Sequence, residues 1–378
     1  MKKSISCLLA LAAGAAACGE QLRNLSEIPP KAGRIAVPSD REWPARVGEA
    51  GVCLWEDDKI AAFSITIDDN CRPDHEWWLK LSDELGFKLT WFIITDSVGG
   101  PNAGFTGTWD DWRKIVAAGH SVQSHTTNHN SAKTAGRELA DEELERMYGD
   151  SLKAIAENLP GNRACCIAYP RGEVHRNIAA KYAIAARGTS GVPDAAGRID
   201  YLCTNAGGGE ATAELVANGQ TEKGPKWLRG KTHFKRGWVV ALYHLVHHGH
   251  TPEAQAKSAA KAEAEIRAIA ALKDRLWIGR FEDVARYGQE RDTAELKVVE
   301  NASGRISFEL SDRMDDALFD YPLSVKIRLP DDWQGVSAAQ GDGKVDATFV
   351  RHEGRPFAIV RAIPDRGTVT VKKQEASR

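Results

Sequence analysis

Two adjacent carboxylates, Asp68 and Asp69, end the apolar, β-branched run Phe63-Ser64-Ile65-Thr66-Ile67, and Asn70 follows them. A run of that composition without Gly or Pro reads as a buried strand. Two like charges side by side at its end repel one another. If a cation neutralises one of them, the other can stay ionised and act as a base. The plainer alternative is a solvated strand terminus that starts a turn, as Asp-Asn pairs often do. A second group of the right kind lies downstream in His125-Thr126-Thr127-Asn128-His129. Histidines at i and i+4 fall on the same side of one helical turn, where both imidazoles reach one ion.

The surrounding elements decide whether these groups meet. From Lys59 the pattern alternates strand and helix. Expected strands cover Lys88 to Thr95, His120 to Ser124, Ala164 to Tyr169, Trp238 to Leu245 and Leu276 to Ile278. Expected helices cover Glu76 to Leu85, Trp109 to Ala118, Asp141 to Leu159, Asn177 to Ala186, Pro252 to Lys273 and Glu282 to Gln289. In the 141–159 helix, Leu144, Met147, Tyr148, Leu152, Ile155 and Leu159 recur at spacings of three and four and make one apolar face. Repeated strand-then-helix units imply a parallel sheet, and about seven of them close into a barrel. In such a barrel the C-terminal strand ends share one face, so Asp69 converges with His125 and His129. Two neutral imidazoles and one carboxylate leave open positions on a divalent ion, the arrangement of a catalytic site. Zinc suits these ligands best, with cobalt, nickel or iron as alternatives.

After about Arg291 the period changes to two. Leu296/Val298, Ile306/Phe308/Leu310, Leu323/Val325/Ile327/Leu329, Val345/Ala347/Phe349, Phe357/Ile359 and Val369/Val371 alternate with polar residues. The fold class is therefore α/β, a distorted TIM-like barrel with a small C-terminal antiparallel β-sandwich. The expected units are an export signal at 1–18, a tether or strap at 19–50, the barrel at 51–290 and the sandwich at 291–378. The sandwich is read as a packing or spacing module in preference to a glycan-binding one.

Four ordered motifs between Lys59 and Tyr287 resemble the NodB-homology polysaccharide deacetylases, carbohydrate esterase family four. Thr66-Ile67-Asp68-Asp69-Asn70 is similar to the family's T-F-D-D-G, and the stretch Ala118 to His129 to its metal-binding A-G-H-x-x-x-x-H-[ST]-x-x-H. Ala168-Tyr169-Pro170-Arg171-Gly172 resembles R-x-P-Y-G, and Leu242-Tyr243-His244 the late L-x-H. The resemblance implies that Asp69, His125 and His129 hold the metal, Asp68 is the general base and His244 the general acid. It gives the backbone N–H of Arg171 to the oxyanion, and places Tyr169, Pro170 and Leu242 around the substrate. It also implies an acetylated poly- or oligosaccharide as substrate, with nitrogen or oxygen as the leaving atom. Ala168 stands where many relatives have an arginine paired to the base, and Arg171 is the nearest replacement. Asp194 and Asp200 are the candidates for the carboxylate that orients the acid. Two other readings stay open: a non-catalytic glycan-binding lipoprotein, and a metal-dependent amidase on a small non-sugar substrate.

The rest of the chain bounds the setting. A formal charge of −2 across 378 residues, with no basic cluster interleaved by aromatics, excludes a nucleic-acid surface. Lys2 and Lys3, then an apolar run from Ile5 to Ala13 and small residues to Ala17, lay out an export signal. Cys18 is either the residue after the cut or a lipidated membrane anchor. The expected location is thus the periplasm, the outer membrane as a lipoprotein, or the medium. Cys53, Cys71, Cys165, Cys166 and Cys203 are expected to be buried thiols plus one or two disulfide bridges. His247, His248 and His250 are read mainly as exposed loop residues, and Trp109 and Trp112 as core.

Overall fold

The computed structural model describes residues 21–25, 33–218, 226, 230 and 232–374. The 1–18 segment with Cys18 lies outside the described residues. Among those described, no helix is long and apolar enough to cross a membrane.

The first strand is β1 (Ala50–Val52), and seven more follow in the barrel: β2 (Ala61–Ile67), β3 (Thr90–Ile93), β4 (Ser121–Ser124), β5 (Cys166–Ala168), β6 (Ala185–Arg187), β7 (Trp238–Tyr243) and β8 (Leu276–Ile278). β2 to β8 pair in parallel in the order β6-β5-β4-β3-β2-β7, with β8 also on β2. A strand has two edges. β7 takes one edge of β2 from Ala62 to Ile67, so β8 beside Ala61–Phe63 and β3 beside Thr66–Ile67 divide the other. Helices cover both faces of β2, which accounts for its unbroken burial. Its two polar side chains are satisfied inside, Thr66 Oγ1 donating to Ala241 O at 2.7 Å and Ser64 Oγ accepting from Trp238 Nε1 at 3.1 Å.

The gap between β6 and β7 is filled by an irregular segment. Thr204 bonds to Ala186 and Gly188 on the β6 side, while Asp194 exchanges two backbone hydrogen bonds with Trp238 and Val240 O accepts from Gly207 on the β7 side. The chain passes so close there that a Cβ on Gly237 would collide with the Asp194 carbonyl oxygen. This segment, expected as loop, completes the distorted barrel.

The expected helix from Asn177 to Ala186 is two elements. A helix covers Arg176–Tyr182, Ala183 turns extended, and β6 begins at Ala185. Alanine favours helix intrinsically, but small side chains also suit a fully enclosed strand, and the barrel position prevails.

The sandwich contains β9 (Glu295–Ala302), β10 (Arg305–Ser311), β11 (Leu323–Arg328), β12 (Val336–Gln340), β13 (Gly343–Val345), β14 (Ala347–His352), β15 (Arg355–Ala362) and β16 (Val369–Lys373). Its antiparallel sheets run β1-β11-β15-β14 and β13-β12-β16-β10-β9. β1 therefore pairs into the sandwich although it precedes the barrel strands in sequence. One apolar core joins Trp55, Trp277 and Tyr287 to Ile306, Phe308, Val325 and Ile327, so the two units are fused. The strap is seated on both. Arg236 of the barrel donates to Pro38 O and Asp40 O, and Lys326 of the sandwich donates to Glu42 O. The five described cysteines are all free thiols, so the expected bridges are absent among the described residues.

His75 and His120 are buried as neutral rings, and burial holds both near a pKa of about 4. His120 Nδ1 accepts the Leu89 N–H at 3.0 Å, which requires the unprotonated nitrogen, and His75 packs edge-on to Trp91 and Trp112. The unfolded chain takes up these protons first. Stability from this source is therefore full above about pH 6.5 and is lost as pH falls toward 4. Urea midpoints should drop over that window, and His120→Asn, which keeps an acceptor but does not titrate, should flatten the drop.

Candidate active site

The turn after β2 sets the two aspartates apart. Asp68 N–H donates to Tyr243 O at 2.9 Å, locking the end of β2 to β7. Asp69, Asn70 and Cys71 then adopt φ of 58°, 66° and 41°, three successive left-handed residues. Asn70, where the family motif has Gly, tolerates this backbone and braces it. Its Oδ1 accepts from Ile94 N–H at 2.9 Å and its Nδ2 donates to Thr106 O at 3.0 Å. The result is a buried Asp68 and an Asp69 side chain that is 37% exposed.

β4 delivers the histidines, but through an irregular loop and not the expected helical turn. Thr126 and His129 have φ of 69° and 58°. Thr126 N–H donates to Ser124 Oγ and His129 N–H to Thr126 Oγ1, both at 3.0 Å. His125 Nδ1 lies 2.9 Å from Ala168 O, and because a carbonyl only accepts, Nδ1 carries the proton. Its Nε2 lone pair is left facing the aspartates, 3.6 Å from Asp68 Oδ2 and from Asp69 Oδ1. His129 Nε2 is 3.8 Å from the same Asp69 Oδ1. Burial lowers the His125 pKa below its usual value, so the ring is neutral as a ligand must be. Ligand atoms of Asp69, His125 and His129 lie within 4.8 Å of one another, and Asp69 Oδ1 is buried with no hydrogen-bond partner. This donor set fits a divalent cation, with the Ala168 carbonyl fixing the first imidazole from behind.

The cation beside Asp68 comes from β6. Arg187, wholly buried, ion-pairs through Nη2 with Asp68 Oδ2, donates through Nη1 to Gly188 O at 3.0 Å, and lies over the Phe92 ring. Arg171 does not take this place. It is exposed, at φ 56° in the tight turn Pro170–Gly172. Arg171→Ala should therefore leave turnover within about twofold of the parent, since Arg187 and not this exposed side chain pairs with Asp68; a large loss would show that the side chain acts.

β7 carries His244. The register pairs Ile67 with Tyr243, which puts His244 level with Asp68, its Nε2 3.6 Å from Asp69 Oδ2 and its side chain 55% exposed. Neither expected orienting carboxylate reaches it. Asp194 accepts from Asn205 N–H and Nδ2 inside the closing segment, and Asp200 pairs with Arg176. Tyr169, expected beside the substrate, is fully buried and donates to Leu202 O at 2.7 Å, which supports the turn that follows it. Pro170 is buried beside it, and Leu242 is half-buried against the core. Trp112 is core, as expected, and Trp109 packs partly buried on the same cluster.

The model of one protein family, described as polysaccharide deacetylase, matches residues 56–186. That segment belongs to the polysaccharide deacetylase family. The match contains Asp68, Asp69, His125 and His129 and stops one residue short of Arg187; His244 lies beyond it. A Bacillus protein named gellan lyase is 36% identical over 373 residues, covering 95% of this chain. The chain spans 15% of that relative's length. Solved structures similar to it include a family 4 carbohydrate esterase from Streptomyces lividans in complex with acetate, at 19% identity, covering 58% of this chain and 93% of that one with a TM-score of 0.36. A family 4 pseudoenzyme from Bacillus anthracis is similar at 14% identity, covering 60% and 66%, also at TM-score 0.36. Likenesses at this level bear on neither chemistry nor substrate.

Proposed function

We propose that the protein is a metal-dependent hydrolase that removes acetyl groups from a polysaccharide. The observation that carries this reading is the convergence of Asp69, His125 and His129 beside an Asp68 that Arg187 holds from the opposite side. Zinc is the proposed ion, on the strength of two imidazole nitrogens and one carboxylate. When bound, such a cation polarises the acetyl carbonyl and eases deprotonation of the attacking water.

The chain's own groups do the rest. Asp68, fixed by its ion pair, accepts a proton from that water. The Arg171 N–H, presented by the left-handed turn, donates to the developing oxyanion. His244, on the solvent side of Asp69, gives a proton to the departing sugar atom. A polysaccharide substrate is supported by the family of residues 56–186 and by the name of the large relative. The N-terminal pattern supports action outside the cytoplasm.

The test is acetate release from N-acetylated and O-acetylated saccharides, with zinc or cobalt and with chelator. Metal-dependent release from one class, abolished in Asp68→Asn with its metal retained, is expected. Silence across the panel with metal demonstrably bound would overturn the reading.

A further inference from the structure

The Leu-x-His spacing occurs twice in succession, at Leu242-Tyr243-His244 and at Leu245-Val246-His247. The proposed chemistry uses only the first histidine. The second is engaged by a carboxylate with no other assignment. Asp74 has a fully buried side chain. Its Oδ1 lies 2.5 Å from His247 Nδ1, and its Oδ2 accepts the Val246 N–H. Because Asp74 Oδ1 accepts, His247 carries its proton on Nδ1; the ring, 35% exposed, sits edge-on to Trp77.

Asp74 is also continuous with the turn that carries the metal-site aspartate. Cys71 N–H donates to Asp69 O at 2.7 Å, and Asp74 N–H donates to Cys71 O at 3.1 Å. One hydrogen-bonded path thus runs from Asp69 through Cys71 and Asp74 to Val246 and His247. A second fastening, Asp68 N–H to Tyr243 O, secures the start of the same loop. His244 lies between the two, half-exposed, its nearest carboxylate being Asp69, itself part of the metal-site cluster. A buried carboxylate is costly unless both oxygens are bonded, and Asp74 meets that need through this loop.

We infer that Asp74 and His247 are positioning residues for His244. They clasp residues 244–247 onto the turn after Asp69, so that the acid and the metal site keep one mutual geometry. The inference rests on the proposed function, and its consequence depends on the leaving group. A sugar hydroxyl or amine needs a proton as it departs, so a displaced His244 slows the step. Departing 4-nitrophenolate needs none.

The experiment compares Asp74→Ala, Asp74→Asn and His247→Ala in the full chain with zinc, on an acetylated saccharide and on 4-nitrophenyl acetate. Asp74→Ala and His247→Ala should lose about 10- to 100-fold on the saccharide and stay within about twofold on the activated ester. Asp74→Asn should recover most of the loss, because an amide can still accept from Val246 and donate to the other tautomer of His247. Equal losses on both substrates would mean a general disturbance of structure and overturn the inference, as would no loss on either. Should Asp74→Ala fail to fold, His247→Ala at the half-exposed position carries the comparison. A parent inactive on both substrates would defeat the hydrolase reading alone. Hydrogen exchange then decides the clasp: residues 244–248 should lose protection in either alanine variant while Trp238–Tyr243 keeps it, and unchanged protection would overturn it.

Discussion

Arg187→Met should cut acetate release by about 10²- to 10⁴-fold, the usual range for a general base put out of action, with bound metal still near one per chain. Arg187 is the cation paired with Asp68, and both side chains are buried. Removing it leaves Asp68 enclosed beside His125 and Asp69 without its ion-pair partner and with no guanidinium fixing Oδ2. Breaking a buried pair from one side also destabilises, by about 3–5 kcal/mol, because the remaining charge cannot reach water. Urea unfolding therefore reads the same defect without any substrate. Arg187→Lys keeps the charge but lacks the planar fork that serves Asp68 and Gly188 O together, so it should fall between parent and Met. Parent-level release and stability in Arg187→Met would show that Asp68 is held by something else.

His125→Ala should weaken zinc binding by at least about 100-fold, more than the usual loss of an outer partner of a metal ligand, and remove activity with it. In the proposed site His125 would offer Nε2 to the ion, and through Nδ1 it ties the end of β4 to β5 at Ala168 O. Its loss opens a buried cavity as well as a coordination position. His129 is more exposed, with its side chain at 25%, and water can replace its nitrogen, so His129→Ala should bind zinc more weakly than the parent but more tightly than His125→Ala. Competition with a chromophoric chelator measures both. Full zinc affinity in His125→Ala would remove these residues from the metal site.

Much of the site was legible because its signals are local. An apolar run ending in Asp68-Asp69 is a strand end wherever it is packed, and a period of two from Leu296 onward is sheet in any arrangement. The pair His125 and His129 was equally visible, yet its geometry was not: left-handed backbone at Thr126 and His129 replaces the helical turn, because the loop is held by Ser124 and Thr126 hydroxyls. Asn70 shows the converse, its tolerance for left-handed backbone readable from its type and its bracing bonds to Ile94 and Thr106 only from the fold.

What sequence by itself determined, then, is the set of strand ends and the chemistry written on them, since both follow from side-chain type and short-range period. Tertiary structure decided which distant residues complete that chemistry. Arg187 is 119 residues from Asp68 and sits in an alanine-rich stretch whose intrinsic preference is helical, so neither spacing nor propensity points to it. Asp74 meets Val246 and His247 across more than 170 residues, and β1 joins the sandwich across the whole barrel. Each of these pairings is selected by burial: a charge or a strand edge removed from water must find its partner, and only the closed fold brings that partner within reach.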